Sequence, residues 1–115
     1  MDQMLEHNMM GAVLVCRLSG RLDGNAADPL ANDLLPLLTD PGRQVLLNLE
    51  TLDYISSIGL RVLVKAAKAV KGSGGALKLC SASPTVRKVL EISGMDQLLD
   101  LRESESAALA AFGAR

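Results

Sequence analysis

The chain has 115 residues, of which 49% are hydrophobic, and its formal net charge at neutral pH is −1. This length holds a single domain, and one Tyr, one Phe and no Trp offer few rings for stacking nucleic-acid bases. The small net charge also disfavours nucleic-acid binding, since phosphate affinity comes from many Lys and Arg side chains. The acidic N-terminus and the lack of any apolar run of about 18 residues predict neither a signal peptide nor membrane insertion.

In chain order, the first half of the sequence predicts a hairpin, a helix and a strand. The elements are strands near 4–9 and 12–18, a helix at 25–38 and a strand at 44–49. Glycine at the turn between the first two strands favours the hairpin. In the helix, leucines recur at helical spacing, and Pro36 should kink or loosen the last turn.

The second half predicts two strands and three helices. The elements are a helix at 58–70, a strand at 76–81, a short helix at 83–93, a short strand within 96–101 and a terminal helix within 103–112. Ser83 followed by Pro84 begins the third helix of the chain, and Gly94 ends it. The glycines of GSGG, residues 72–75, precede a strand rather than a helix, so they indicate a helix end and a turn instead of a phosphate loop.

The resulting order, β-β-α-β-α-β-α-β-α, is typical of an α/β protein. Strands joined through helices predict a mixed, mostly parallel sheet of about four to five strands with about four helices packed on it. Functional loops in such sheets gather at the carboxyl ends of the strands. Ser56 and Ser57 lie at such an end, between a strand and a helix.

The cysteines and the single histidine carry no recognisable chemistry. Cys16 and Cys80 lie in apolar runs without Cys-x-x-Cys spacing, so we expect buried, reduced thiols in a cytosolic protein. His7 has no companions for a metal site or a catalytic set and is expected at a surface or sheet edge. We therefore expect no metal, no cofactor and no enzymatic activity.

Two features of the middle of the chain allow two interpretations each. Either Ser56 or Ser57 can cap the following helix, and a serine hydroxyl at a helix N-terminus is also a candidate for modification. Residues 57–95 carry seven basic side chains and one acidic one, and Arg61, Lys65 and Lys68 share one helix face. That face is either merely solvated or a docking surface for an acidic partner.

The sequence LNLETLDYISSIGLRVL, preceded by LSGRLDGNAA and followed by LKLCSASPTVRKVLEISGMDQLL, closely resembles STAS domains. Within that family it resembles the stand-alone bacterial anti-sigma factor antagonists, over nearly the whole chain from about Val13 to Leu101. The resemblance implies one STAS domain spanning residues 1–115, located in the cytoplasm, as a monomer or weak dimer.

The resemblance also implies a phosphorylation switch at Ser57. In such antagonists an anti-sigma factor that is a serine kinase phosphorylates this serine, the unphosphorylated form holds the kinase and frees the sigma factor, and a metal-dependent serine phosphatase reverses the step. The family motif is Asp-Ser-Ser or Thr-Gly. Here Ser56 replaces the Asp and becomes an alternative acceptor, and Ile58 replaces the second hydroxyl residue. The implied partner-binding residues are Asp23, Ser56, Ser57, Ile58, Gly59 and Arg61.

Two other functions remain compatible with the sequence. One is a STAS scaffold subunit that is never phosphorylated, as in a lipid-transport ABC complex or a stress-sensing assembly. The other is a small nucleotide-binding domain. Phosphorylation by a cognate kinase separates the first from the antagonist, and nucleotide binding tests the second.

Overall fold

The computed structural model describes residues 4–113, and its elements follow the predicted order. The strands are β1 (Leu5–Met10), β2 (Val13–Leu22), β3 (Gln44–Ile55), β4 (Ala76–Cys80) and β5 (Leu101–Arg102). The helices are α1 (Gly24–Leu34), α2 (Ser57–Gly72), α3 (Pro84–Ile92) and α4 (Glu105–Ala111). Short 3-10 turns cover Leu35–Leu38 and Met95–Gln97.

The five strands form one sheet in the order β1-β2-β3-β4-β5. β1 pairs antiparallel with β2, as the hairpin predicted, and the other three pairings are parallel. This mixed, mostly parallel sheet confirms the predicted fold class. Because β2, β3, β4 and β5 run parallel, their carboxyl ends lie at one edge of the sheet, and α1, α2 and α3 begin at that edge.

Helices cover both faces of the sheet. The larger core lies beneath α1, α2 and α3, and the smaller one lies beneath α4, where Ala108 packs with Val15, Leu46 and Cys80. Six residues on strand or helix faces that should pack on the sheet are predicted to be buried, and all six are: Cys16, Leu47, Leu49, Leu60, Leu63 and Cys80. Both cysteines are free thiols, in agreement with the sequence-based expectation.

The first helix is shorter than predicted. α1 ends at Leu34, and the chain continues as a 3-10 turn with Pro36 near its start. Proline has no amide hydrogen and its ring crowds the preceding turn, so a regular helix does not continue to Leu38. The tighter turn still brings Leu38 into the core, fully buried.

The last strand was predicted too early in the chain. Residues 96–101 were expected to form it, but Met95–Gln97 form a 3-10 turn and β5 contains only Leu101 and Arg102. After the turn, Leu99 is buried and Leu98 is exposed. The chain then forms β5, which pairs with β4. Asp100 pairs with Lys78 and Arg102, each at 2.7 Å, and Arg102 and Lys78 lower the pKa of that carboxyl.

The predicted cap of α3 and the glycine-rich end of α2 are confirmed, whereas β2 and β3 extend past their predicted ends, at residues 18 and 49, to Leu22 and Ile55. Ser83 caps α3 through the Val86 amide, and Gly94 adopts a positive φ of 76° after it. The amide of Gly75 donates to the Val70 carbonyl, so the glycine-rich segment ends α2. His7 is exposed on β1, an edge strand of the sheet. Within residues 4–113, no helix has both the length and the apolar character needed to cross a bilayer.

Candidate functional site

Two helices begin side by side where β2 and β3 end. Leu22 and Ile55, the last residues of these strands, are paired in the parallel register. The next residue along each chain segment caps a helix: Asp23 caps α1 and Ser56 caps α2. The register therefore brings together Asp23 and the two serines, although 33 positions separate Asp23 from Ser56 in the sequence.

Ser56 is the N-terminal cap of α2. Its Oγ accepts a hydrogen bond from the Gly59 amide at 3.1 Å and donates to the Leu22 carbonyl at 3.3 Å. The Ser56 backbone amide donates to the same carbonyl at 2.9 Å. The side chain is half-buried, and its hydroxyl links the start of α2 to the end of β2.

Ser57 has a different environment. It is the first residue of α2 and is exposed to solvent. Within the described part of the chain its hydroxyl makes no hydrogen bond, while the neighbouring hydroxyl makes two. Of the two serines, Ser57 presents its oxygen to an approaching enzyme or partner.

Gly59 allows α2 to approach β2 closely. A methyl group at this position would lie 2.5 Å from the Leu22 carbonyl oxygen and 2.7 Å from Leu22 Cγ. Real side chains do not tolerate such separations. A residue without a side chain is thus needed for the first turn of α2 to reach the Leu22 carbonyl.

Asp23 and Ile58 complete the surface around the serines. Oδ1 of Asp23 accepts hydrogen bonds from the amides of Asn25 and Ala26, both at 3.1 Å. Ile58 is 52% exposed, and its Cδ1 would lie 3.5 Å from a methyl group added at Gly24, the first residue of α1. The surface therefore combines one free hydroxyl, one carboxylate engaged by its own helix, and one exposed apolar side chain.

The basic face of α2 leads away from this surface. Arg61, Lys65 and Lys68 are exposed, and Leu60 and Leu63 on the opposite face are buried, as predicted. Within residues 4–113, none of these three cations forms an ion pair. Arg61 is the nearest of them to Ser57 along the helix.

Two features at this edge of the sheet were not found from the sequence. The guanidinium of Arg21 lies 4.3 Å from the ring centroid of Tyr54, its register partner on β3. Ser81, after β4, has a positive φ of 63°, which is rare for a residue other than glycine. The first depends on two register irregularities in the pairing of β2 with β3, and the second has no local sequence signal.

The site has no arrangement that would suggest metal chemistry. Between residues 4 and 113, no group of three or more His, Cys, Asp or Glu side chains is placed to hold a metal ion. The chemistry available at the surface is that of an exposed hydroxyl beside a helix N-terminus and a row of cations.

This arrangement belongs to a known class of protein. A family model described as the STAS domain matches residues 6–108, nearly the whole chain. The chain belongs to the STAS domain family, as the sequence resemblance predicted.

Relatives within the class are named for one function. BtrV of Bordetella bronchiseptica, named as an anti-sigma factor antagonist, is 38% identical over 108 residues, covering 94% of this chain and 93% of its own. An anti-sigma-factor antagonist (STAS) domain protein from Planctomyces limnophilus has a TM-score of 0.85 at 23% identity, covering 95% of this chain and 97% of its own.

A third similar protein was solved in a modified state. The Bacillus cell fate determinant SpoIIAA, in its phosphorylated form, has a TM-score of 0.66 at 23% identity, covering 94% of this chain and 98% of its own. At identities this low, the two solved structures establish the shared fold only.

Proposed function

We propose that this protein is an anti-sigma factor antagonist whose affinity for its partner is switched by phosphorylation of Ser57. It is a single-domain cytoplasmic protein that acts as a kinase substrate and a binding partner, not as an enzyme. Unphosphorylated, it holds an anti-sigma factor serine kinase and frees the sigma factor. A metal-dependent serine phosphatase restores this form after phosphorylation.

The observation that carries the proposal is the difference in environment between the two serine hydroxyls. The Ser56 hydroxyl is engaged with Gly59 and Leu22, whereas the Ser57 hydroxyl is exposed. A phosphate on Ser57 meets the positive end of the α2 dipole, so the fold tolerates it. The name of BtrV and the phosphorylated form of SpoIIAA support the same function.

Phosphorylation at this surface blocks binding because of desolvation. In the first turn of α2, Ser57 and Ile58 are exposed, while Gly59 is buried against β2. A partner that packs on this turn removes water from Ser57. A phosphate carries a charge of about −1.5 to −2 at neutral pH. Burying that charge without a compensating cation costs several kcal/mol, which is enough to separate the two proteins.

The test is phosphorylation by the cognate anti-sigma factor kinase with ATP, followed by intact mass and peptide mapping. We expect one added phosphate, located on Ser57, in the parent and in Ser56→Ala. Ser57→Ala should stay unmodified. Phosphate on Ser56 would contradict the assignment of the acceptor, and a protein that the kinase binds but never modifies would favour a STAS scaffold without a switch.

A further inference from the structure

The start of α2 places a cation one helical turn after the exposed serine. Ser57 and Arg61 are separated by four positions, so their side chains lie on the same helix face as neighbours. Side chains on a helix lean toward its N-terminus, which directs the Arg61 guanidinium back toward Ser57. Both residues are exposed.

Arg61 is available for such a contact. α2 contains no acidic residue, and Arg61 forms no ion pair within residues 4–113. Oδ1 of Asp23, the carboxylate at the adjoining helix start, accepts from two amides of its own helix. An anion arriving at Ser57 would therefore be the first negatively charged partner for Arg61 on this helix.

We propose that Arg61 pairs with the phosphate of phosphorylated Ser57 within the same helix, and that this pairing withdraws the Arg61 charge from the surface offered to a partner. The proposal rests on the proposed function, since it takes Ser57 as the phosphorylated residue. Phosphorylation would then act twice: it adds an anion at the partner surface, and it occupies a cation that the unphosphorylated protein leaves open to carboxylates of an acidic partner.

The chemistry and the geometry favour this pair. A guanidinium presents a planar fork of N–H donors that matches phosphate oxygens. An acidic group four residues before a basic one is the more favourable orientation on a helix, and here the anion at Ser57 lies at the positive end of the dipole. Lys65 lies four residues further on, about 12 Å from Ser57 along the helix axis, and is out of direct reach.

The test measures the phosphate itself and needs no partner. Protein carrying genetically encoded phosphoserine at position 57 is titrated by phosphorus NMR in three forms: parent, Arg61→Gln and Lys65→Gln. We expect Arg61→Gln to raise the second pKa of the phosphate by about 0.2 to 0.4 unit, since a neighbouring cation favours the dianion. Lys65→Gln should change it by less than half as much. Asp23 is present in all three proteins, so its effect on the phosphate pKa cancels when the variants are compared with the parent. Equal pKa values in Arg61→Gln and Lys65→Gln would overturn the pairing.

Binding to the anti-sigma factor kinase tests the withdrawal of charge. For the unphosphorylated protein, Arg61→Gln should weaken binding about 3- to 10-fold, and in that variant phosphorylation should weaken binding by a correspondingly smaller factor than in the parent. If Arg61→Gln and phosphorylation change the dissociation constant by strictly multiplicative factors, phosphorylation does not withdraw the Arg61 charge from the partner surface. If the kinase neither binds nor modifies the protein, the proposed function fails, while the NMR titration still decides the Arg61 pairing.

Discussion

Oγ of Ser56 accepts a hydrogen bond from the Gly59 amide at 3.1 Å, which makes Ser56 the cap of α2. Ser56→Ala removes that bond and the bond to the Leu22 carbonyl, so the free energy of unfolding should fall by about 1 to 2 kcal/mol. Ser57→Ala should change it by less than about 0.5 kcal/mol, because Ser57 is exposed. Urea unfolding measures both, and Ser56→Asp, which keeps a capping oxygen, is the matched control. Equal losses in the two alanine variants would contradict the capping assignment.

Ser57→Asp should separate binding from folding. The added charge lies at the N-terminus of α2, where the helix dipole favours an anion, so the melting temperature should shift only slightly. Affinity for the anti-sigma factor kinase should fall at least about tenfold, because that charge is desolvated in the complex. Ser57→Ala should bind as the unphosphorylated parent does and should be insensitive to kinase and ATP. A titration of both variants beside melting curves checks this, and parent-like binding by Ser57→Asp would refute the switch.

Gly59→Ala should destabilise the protein although alanine is the better helix former. The new methyl group would meet the Leu22 carbonyl oxygen, and overpacking of this kind costs about 1 to 3 kcal/mol. Gly72 lies in the last turn of the same helix with nothing within 4 Å of an added methyl group. Gly72→Ala should therefore be neutral or stabilising by up to about 1 kcal/mol. Chemical unfolding of both variants gives the comparison, and opposite signs for the two changes are the expected result.

Glu105 holds α4 on the smaller core. Its Oε1 accepts from Arg17 Nη2 and from Asn48 Nδ2, both at 2.9 Å, and Asn48 is the one buried polar residue between 4 and 113. Glu105→Ala leaves the Asn48 amide without this acceptor, which should cost about 1 to 3 kcal/mol. Glu105→Gln keeps an acceptor oxygen and should cost less, and Glu103→Ala, at an exposed position, should cost almost nothing. Thermal melts of the three variants test the ranking.

The buried thiols should make the protein less stable in alkali. Burial raises the pKa of Cys16 from 9.0 to about 11, with the nearby Arg43 charge opposing the shift, and burial also raises the pKa of Cys80. The folded state therefore holds these protons where the unfolded state loses them. Stability should be unaffected below pH 9 and should fall by up to about 2 to 3 kcal/mol from Cys16 as pH rises to 11.

A variant isolates that effect from other titrations. Cys16→Ala should be less stable than the parent at pH 7 because of the lost side chain, but its stability should fall less steeply between pH 9 and 11. Urea unfolding at several pH values measures the slope. Parallel slopes for the parent and the variant would show that Cys16 does not contribute.

Local signals in the sequence predicted the elements whose boundaries are set locally. Ser83 and Pro84 mark the start of α3, and Gly94 marks its end, because capping and positive φ depend on the residue at that position. The hairpin was found for the same reason. The predicted end of α1, at residue 38, was wrong. Pro36 indicates that the helix is disrupted, but it does not fix the residue at which the regular helix ends.

Long strands were harder to predict because their ends depend on neighbours. β2 runs to Leu22 and β3 to Ile55, well past the predicted ends, and their pairing includes register irregularities near Ser19 and Gly20. The sequence left open which serine caps α2. The length of β3 decides it, because Ile55 is still in the strand and Ser56 is the first residue beyond it.

Contacts between distant segments could not be read from the sequence at all. The bond from Asn48 to Glu105 joins residues 57 positions apart and exists only because α4 returns across the sheet. Similarly, Asp23 reaches the serines through the pairing of Leu22 with Ile55. The resemblance to STAS domains grouped Asp23 with the serines as partner-binding residues, and composition and periodicity did not.

The strand order β1-β2-β3-β4-β5 has a consequence for how the protein is made. As the chain leaves the ribosome, every new strand pairs with the one synthesised just before it, so the sheet grows from one side and no strand waits for a distant partner. Each pairing therefore joins segments that are as close in sequence as the turn or crossover helix between them allows. α4 packs over strands formed earlier, where it contacts β3 and β4. α4, which follows all five strands, thus covers the second face of the sheet.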